Sequence, residues 1–475
     1  MTPRCDVLII GGGVLGTAIA ARLSQTSARV ILIEQENDIA DAASKGNMGI
    51  ATCFYGTPNS LEAQMITASV PLWEDLCRRL DVPFKRLGMV ATALTNEEYD
   101  RLPELLADAE AYGARAEVLT ADQAQRLEPL ISPQCRGALY LPDEAIIDPF
   151  RLTWGYAELA AANGVHVRLS TRLLGFENEG DNITRAYTSH GLIEACFVVN
   201  ASGVFAGMVS GLAHGDDIRM WPRRGQYWIL DRAFGARMTR IVRSIPNRET
   251  HGIQVAPSTN GSVLIGPDAL DQEDPFDVST ETEALAHILA AGQRLVPSIS
   301  ADYAIKTFAG IRPASKQTFR TDRDTRIVNL VHVGSRSNGV SASPAVAERT
   351  LMLLQQAGLV VEEREDAAST VPHVPRLLWE TDPESLAKID PLYGQVICAC
   401  EQVTAAEITA ALTSHVPAPS IEGVRKRTRA TGGRCQGAVC MAGVAFLCTL
   451  HTGCEPYQVH QGPAGATLGI ASETA

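Results

Sequence analysis

The sequence predicts an α/β fold in three parts: a parallel-sheet domain, an antiparallel-sheet domain interleaved with it, and a small helical module near the C-terminal end. Three observations predict this. The chain opens on a strand, a glycine turn, a helix and a second strand. Short alternating strands cluster between Arg224 and Gly266, away from that opening unit. Six of the eleven cysteines crowd the last part of the chain, beyond a charged, proline-punctuated stretch.

The 475 residues suffice for two or three domains with sizeable cores. With 54 acidic against 41 basic residues, the summed field repels nucleic acid and anionic membrane surfaces, which disfavours nucleic-acid binding, and no nucleic-acid partner is expected. No run approaches the roughly 18 apolar residues of a membrane span, so any membrane contact would be peripheral, at the inner membrane, or through a partner. An odd cysteine number with a local cluster points to metal in a reducing compartment, and a cytoplasmic protein is expected.

The first strand is "DVLII", Asp6 to Ile10, and the second runs from Val30 to Ile33 and ends in Glu34. Between them "GGGVLG" sets Gly11, Gly13 and Gly16 in the G-x-G-x-x-G spacing, opening a helix. The glycines permit a tight turn and close backbone approach to a pyrophosphate, and the helix N-terminus favours its negative charge. Glu34, 23 residues after Gly11, stands where a carboxylate accepts ribose hydroxyl protons. This is a Rossmann-like dinucleotide site. Helices are expected in "NEEYDRLPELLADAEAYG" and "FRLTWGYAELAAANG", and strands in "QYWILD", "IQVAP" and "GSVLIGP". Arg326 to Val333 reads as a further strand, followed by a helix from about Ala345 to Gln356.

Two later stretches select FAD as the dinucleotide. "FVVNASGVFAG", Phe197 to Gly207, and "VHVGSRSNGVSASPAVAE", Val331 to Glu348, each join a strand to a small-residue turn. A long flavin dinucleotide needs separate helix N-termini for its pyrophosphate and its ring.

With "GGGVLG", "DEAIIDPFRL", "VVNASG", "RRGQY", "FAGIRP" and "GSRSNGVSASPAVAE", the first 360 or so residues resemble the D-amino-acid oxidase and glycerol-3-phosphate dehydrogenase superfamily of flavoproteins. The resemblance implies an FAD-dependent oxidoreductase over residues 1–360. Its FAD domain would be mainly 1–80, 145–210 and 325–360, and its substrate domain mainly 81–144 and 211–324. It also implies FAD contacts at Ser44, Asn47 and Gly49, at Val167, at Ala201 and Gly203, and at Gly334, Asn338 and Gly339. Some relatives with hydroxy-acid substrates carry a histidine shortly after the counterpart of Gly49; here Thr52 and Cys53 follow. The chain has no histidine before His166, which excludes a histidine base or flavin tether from this loop.

Oxidising a C–H beside oxygen or nitrogen needs the flavin as hydride acceptor, a proton acceptor, and a cation for the acid end of the substrate. Arg312 is the expected cation, since a guanidinium suits carboxylate or phosphate alike. Arg224, Tyr227 and Lys306 are candidates to join it, although Tyr227 and Arg224 point to opposite faces of one alternating strand. His251, just ahead of "GIQVAP", is the candidate proton acceptor.

Residues 361–394 have the composition of a linker, and a module over 395–460 follows. Cys398 and Cys400 form C-x-C, and Cys435 and Cys440 form C-x4-C, with 34 residues between the pairs. Four thiolates suit zinc or an iron-sulfur cluster, but C-x-C fits zinc turns poorly, and glycine-rich surroundings leave N–H groups free to approach sulfur. The arrangement resembles the 2Fe-2S domain of the bacterioferritin-associated ferredoxin type, which implies these four cysteines as ligands. "TAAE", Thr404 to Glu407, is a capping box, whereas Cys448 and Cys454 lie outside the ligand spacing. The run "RKRTR", Arg425 to Arg429, reads as a solvated basic face as readily as a site.

A two-electron flavin joined to a one-electron cluster implies a dehydrogenase exporting electrons to a partner protein or quinone system, within a hetero-oligomer. Its substrate would be a small anion: glycerol 3-phosphate, a 2-hydroxy acid, an amino acid or an opine. The alternatives are an oxygen-using oxidase with a structural cluster and a non-catalytic electron-transfer or redox-sensing subunit.

Overall fold

A computed structural model describes residues 2–55, 57–246, 252–316, 319–334, 336–462 and 466–469. Strand β1 (Arg4–Ile10) is almost wholly buried from Cys5 on, as a central parallel strand must be when helices cover both faces. It leads through the glycine turn into α1 (Val14–Leu23) and on to β2 (Val30–Ile33). The long strand Gly191–Asn200 pairs parallel to β1 on its other side, with Ile10 opposite Asn200. His166–Arg168 flanks β2, and Leu330–Gly334 flanks Gly191–Asn200, both in parallel. Parallel register brings the strand ends at Ile10, Ile33 and Asn200 to one edge, where ligands bind in such sheets. Two antiparallel strands, Leu173–Glu179 and Asn182–Thr188, extend the sheet through the first half of Gly191–Asn200.

Among the described residues the second sheet has nine strands, and residues 89–141 contribute three of them. Its spine is the antiparallel pair Trp221–Leu230 and Ala304–Ala314, with Arg223 opposite Arg312 and Tyr227 opposite Phe308. One pair within it is parallel, Ile241–Ser244 beside Met89–Ala93. The sheet is therefore mixed where the sequence suggests antiparallel pairing throughout.

Two boundaries differ from the sequence reading. The helix placed at about Ala345 begins at Gly339, with Pro344 inside it. Pro344 cannot donate to the Val340 carbonyl, but the Ser343 hydroxyl does, at 3.0 Å, and so supplies the missing bond. The last parallel strand begins at Leu330 because the Asp324 carboxylate accepts from Arg326 N and Ile327 N, folding those residues into a turn.

Residues 361–394 run as a strap along the oxidoreductase and on to the C-terminal module. Val371 N donates to Arg79 O, Val374 N to Asp81 and Leu377 N to Glu407, and a short helix, Pro383–Ile389, follows. The C-terminal module packs three helices, Ala405–Thr413, Ile421–Thr428 and Met441–Thr452, on its own core, which includes Cys398, Cys440 and Val444. Thr404 and Glu407 close the expected capping box.

Candidate active site and cluster module

A cavity of about 1060 Å³ opens at the strand-end edge of the parallel sheet and continues under the mixed sheet. Its first end is the glycine turn. A Cβ at Gly16 would stand 1.9 Å from the Gly11 carbonyl oxygen, and one at Gly11, whose φ is +111°, would stand 2.5 Å from Ala201 O. Neither position tolerates a side chain, so strand, turn and helix close-pack on bare backbone. Glu34 accepts from Gly12 N at 2.6 Å and from Glu36 N at 3.0 Å, which turns its carboxylate into the cavity wall. Burial pushes its carboxyl above the usual range, against those bonds.

The middle of the wall is the loop that carries Ser44 and Asn47. Ser44 Oγ accepts from Val14 N at 2.9 Å and so ties this loop to the first turn of α1. Asn47 donates to Ser44 O and accepts from Gly49 N, while Gly49, at φ +69°, lies against Ile147 O. A Cβ on Gly310 would meet Gly46 O at 2.0 Å, so the two domains touch backbone to backbone beside the cavity. Gly203, Asn338 and Gly339 also line it. The N-termini of a 10-residue and an 18-residue helix thus both border one cavity. This bare cradle, with a half-buried carboxylate at one end, fits an extended dinucleotide. Gly334 and Val167 do not line it: Val167 pairs beside Leu32 in the sheet, and Thr171 to Leu173 provide the wall there.

The far end is cationic. Tyr227 stacks on Phe308 at 4.6 Å between ring centroids, and Arg312 donates through Nη2 to Asp268 O at 2.7 Å while its buried Nε has no partner. Lys306 joins them on the lining, its amine pushed down by burial and by Arg425. Arg224 faces the other side, as alternation requires, and binds Asp277, Ser279 and Glu281. His251 lies outside the described residues. Arg243, which the sequence reading missed, is a buried arginine on the cavity wall whose Nε has no partner. An arginine directly after two apolar residues of a short strand, Ile241 and Val242, was its signal.

In the module the four cysteines fall into two pairs, with Cys400 against Cys435 and Cys398 against Cys440. Two thiolate pairs suit the two irons of a 2Fe-2S cluster. The Val439 and Gly437 amides face Cys435 and hold its thiol below the ordinary value, as N–H donors to cluster sulfur would. Cys448 is packed in the module core.

The basic run is no solvated face. Arg427, 1% exposed, donates to both oxygens of Asp38 at 2.9 Å. Lys426 binds Asp38 at 2.8 Å and donates to Ile39 O at 2.8 Å. Arg429 pairs with Asp148 at 3.0 Å over the Phe150 ring. These acids belong to the oxidoreductase, so the run clamps the module onto it. As a result Glu401, Arg425, Arg429, Gly432 and Gln436 of the module line the same cavity as Glu34 and Arg312.

The family model of FAD dependent oxidoreductases matches residues 6–352, and that of the BFD-like 2Fe-2S binding domain matches residues 396–447. A glycerol 3-phosphate dehydrogenase of Caloramator mitchellensis is 32% identical over 475 residues, covering 98% of each chain. One subunit of the anaerobic glycerol-3-phosphate dehydrogenase of Escherichia coli K12 is 25% identical over 495 residues, covering 93% of this chain and 87% of the other. Among solved structures, the dithionite-reduced L-alpha-glycerophosphate oxidase of Mycoplasma pneumoniae with FAD bound superposes with a TM-score of 0.74 at 25% identity. That match covers 79% of this chain and all of the other.

Proposed function

The chain belongs to the FAD dependent oxidoreductases and carries a BFD-like 2Fe-2S domain; from that premise we propose that it dehydrogenates glycerol 3-phosphate and sends the electrons out through the cluster. One observation carries the reading: the dinucleotide cradle, the cationic end and the cluster module all border a single cavity. FAD supplies a two-electron hydride acceptor and the cluster a one-electron carrier.

The chain's own residues divide the work. Gly11 and Gly13 leave room for the pyrophosphate, Glu34 holds a ribose, and the loop of Ser44 and Asn47 with Asn338 and Gly339 frames the ring. Arg312 and Arg243 hold the anionic end of the substrate; two cations in one wall suit a phosphate dianion better than a single carboxylate. Tyr227, stacked on Phe308, packs the wall beside them. Cys398, Cys400, Cys435 and Cys440 hold the cluster, and the Asp38 and Asp148 ion pairs keep it at a fixed distance from the cradle. The likeness to one subunit of an anaerobic dehydrogenase supports a hetero-oligomer with an electron-accepting partner.

Anaerobic addition of glycerol 3-phosphate tests this. Flavin bleaching followed by loss of cluster absorbance is expected, with little peroxide when the reduced protein meets air. Bleaching by an amino acid or a 2-hydroxy acid instead would overturn the substrate. The likeness to an L-alpha-glycerophosphate oxidase favours one second reading, which fast stoichiometric peroxide release with an oxidised, spectating cluster would establish.

A further inference from the structure

We propose that Thr52 and Glu144 form the proton relay of this site: Thr52 takes the substrate hydroxyl proton while passing its own to the Glu144 carboxylate behind it. The inference rests on the reading that a hydroxyl is oxidised in this cavity.

Among the described residues lining the cavity there is no histidine. The obvious carboxylate near Arg312, Asp268, is committed to Gln226, accepting from its backbone N at 2.7 Å and its side-chain Nε2 at 2.8 Å. Burial pushes the Tyr227 hydroxyl further from a basic form. Thr52 borders the cavity and reaches past the wall, its hydroxyl donating to Glu144 Oε1 at 2.6 Å.

Glu144 has no solvent exposure. Its Oε1 also accepts from Cys53 N at 3.2 Å, whereas its Oε2 has no partner. A buried carboxylate oxygen without a partner costs stability, a cost that functional sites commonly carry. The pair is held from both sides of the site. Thr52 N donates to Ser341 Oγ at 3.0 Å on the helix beginning at Gly339, and Gly88 N donates to Glu144 O at 2.8 Å beside the mixed sheet. Burial pushes the Glu144 carboxyl up, which Arg243 on the strand Ile241–Ser244 and the Thr52 and Cys53 bonds oppose. The Cys53 thiol, whose Sγ reaches the same Oε1 at 3.7 Å, Asp143 beside Glu144, and Tyr112 from the helix Leu102–Tyr112 are further titratable groups around this pocket, with Tyr55 and Glu62 beyond them. A carboxyl raised in this way makes its ionised form a stronger proton acceptor than an exposed carboxylate.

The step balances. The substrate C–H bond breaks with its electron pair, which leaves as hydride to FAD. The O–H bond breaks towards Thr52, whose own proton moves to Glu144, and the C–O bond becomes a carbonyl. The substrate loses two electrons and two hydrogens, one as hydride and one as the proton left on Glu144.

The test compares wild type, Thr52→Val, Thr52→Ser and Glu144→Gln in anaerobic rapid mixing with glycerol 3-phosphate. Flavin reduction is expected to slow by about 10²–10⁴-fold in Thr52→Val and Glu144→Gln. Thr52→Ser, which keeps the hydroxyl, should stay within about tenfold of wild type. Dithionite should reduce all four alike. A protonated-carboxyl stretch should appear in the infrared difference spectrum on substrate reduction and be missing in Glu144→Gln. The acid limb of the wild-type reduction rate should lie above the ordinary glutamate range and vanish in Glu144→Gln. Where Glu144→Gln fails to fold, the Val and Ser variants at Thr52 decide. A wild type reduced by substrate with Thr52→Val equally fast, or with no carboxyl band, overturns the relay alone. A wild type that glycerol 3-phosphate does not reduce overturns the substrate reading and the relay together.

Discussion

Asp38→Asn should loosen the module from the oxidoreductase. Burial alone would raise the Asp38 carboxyl, but the charge and hydrogen bonds of Arg427, and then of Lys426, more than reverse this and hold it at about 2 against an ordinary 3.8. Undocking returns it to the ordinary value. The difference corresponds to about 2.5 kcal/mol favouring the charged, docked form, or about sixty-fold in the docking equilibrium. Because the docked value is the lower one, this stabilisation is complete above pH 3.8 and disappears as pH falls through about 2. Asparagine keeps the shape and removes the charge, so at neutral pH it should forfeit most of that amount. Hydrogen exchange of the backbone amides in Ile421–Thr428 is the assay, since opening of the module exposes them. Exchange should accelerate by up to about sixty-fold at fixed pH while amides of β1 and β2 are unaffected. An increase under about threefold in Ile421–Thr428 would refute the clamp as a determinant of docking.

Two further outcomes follow from close approach and from the cysteine pairs. Gly310→Ala places a Cβ where Gly46 O leaves only 2.0 Å, with backbone on both sides, so the domains must part; FAD retention through gel filtration should fall well below wild type. Cys435→Ser should abolish the iron-sulfur absorbance and leave the flavin spectrum and its bleaching by substrate in place, because the cradle of Gly11, Glu34 and Ser44 belongs to the other domain; loss of both chromophores together would contradict this division.

Local order made much of this protein legible. Gly11, Gly13 and Gly16 sit within one turn, β1 and β2 are continuous apolar runs, and Thr404 with Glu407 closes its cap over three residues. Each depends on neighbours in the chain, so spacing alone reveals it. The cysteine pairs are local too, and resemblance of their surroundings to a known module supplied the rest. The helix at Gly339 was misplaced for a local reason: Pro344 looks like a boundary until the Ser343 hydroxyl is seen to serve the Val340 carbonyl.

What the sequence by itself determined is therefore the set of short-range devices: an α/β chain with a dinucleotide turn, a second strand cluster and a four-cysteine module. What only the tertiary structure decided is which distant residues meet. A basic run reads the same whether water or acid surrounds it, and Arg427 became a clamp only when 389 positions of chain brought Asp38 to it. Thr52 and Glu144, 92 residues apart, carry no shared pattern, since a hydrogen bond between two loops is set by how two domains pack and not by periodicity. The cavity itself, joining Glu34, Arg312 and Gln436, has no counterpart in the order of the residues, because concavity exists only once three folded units press together.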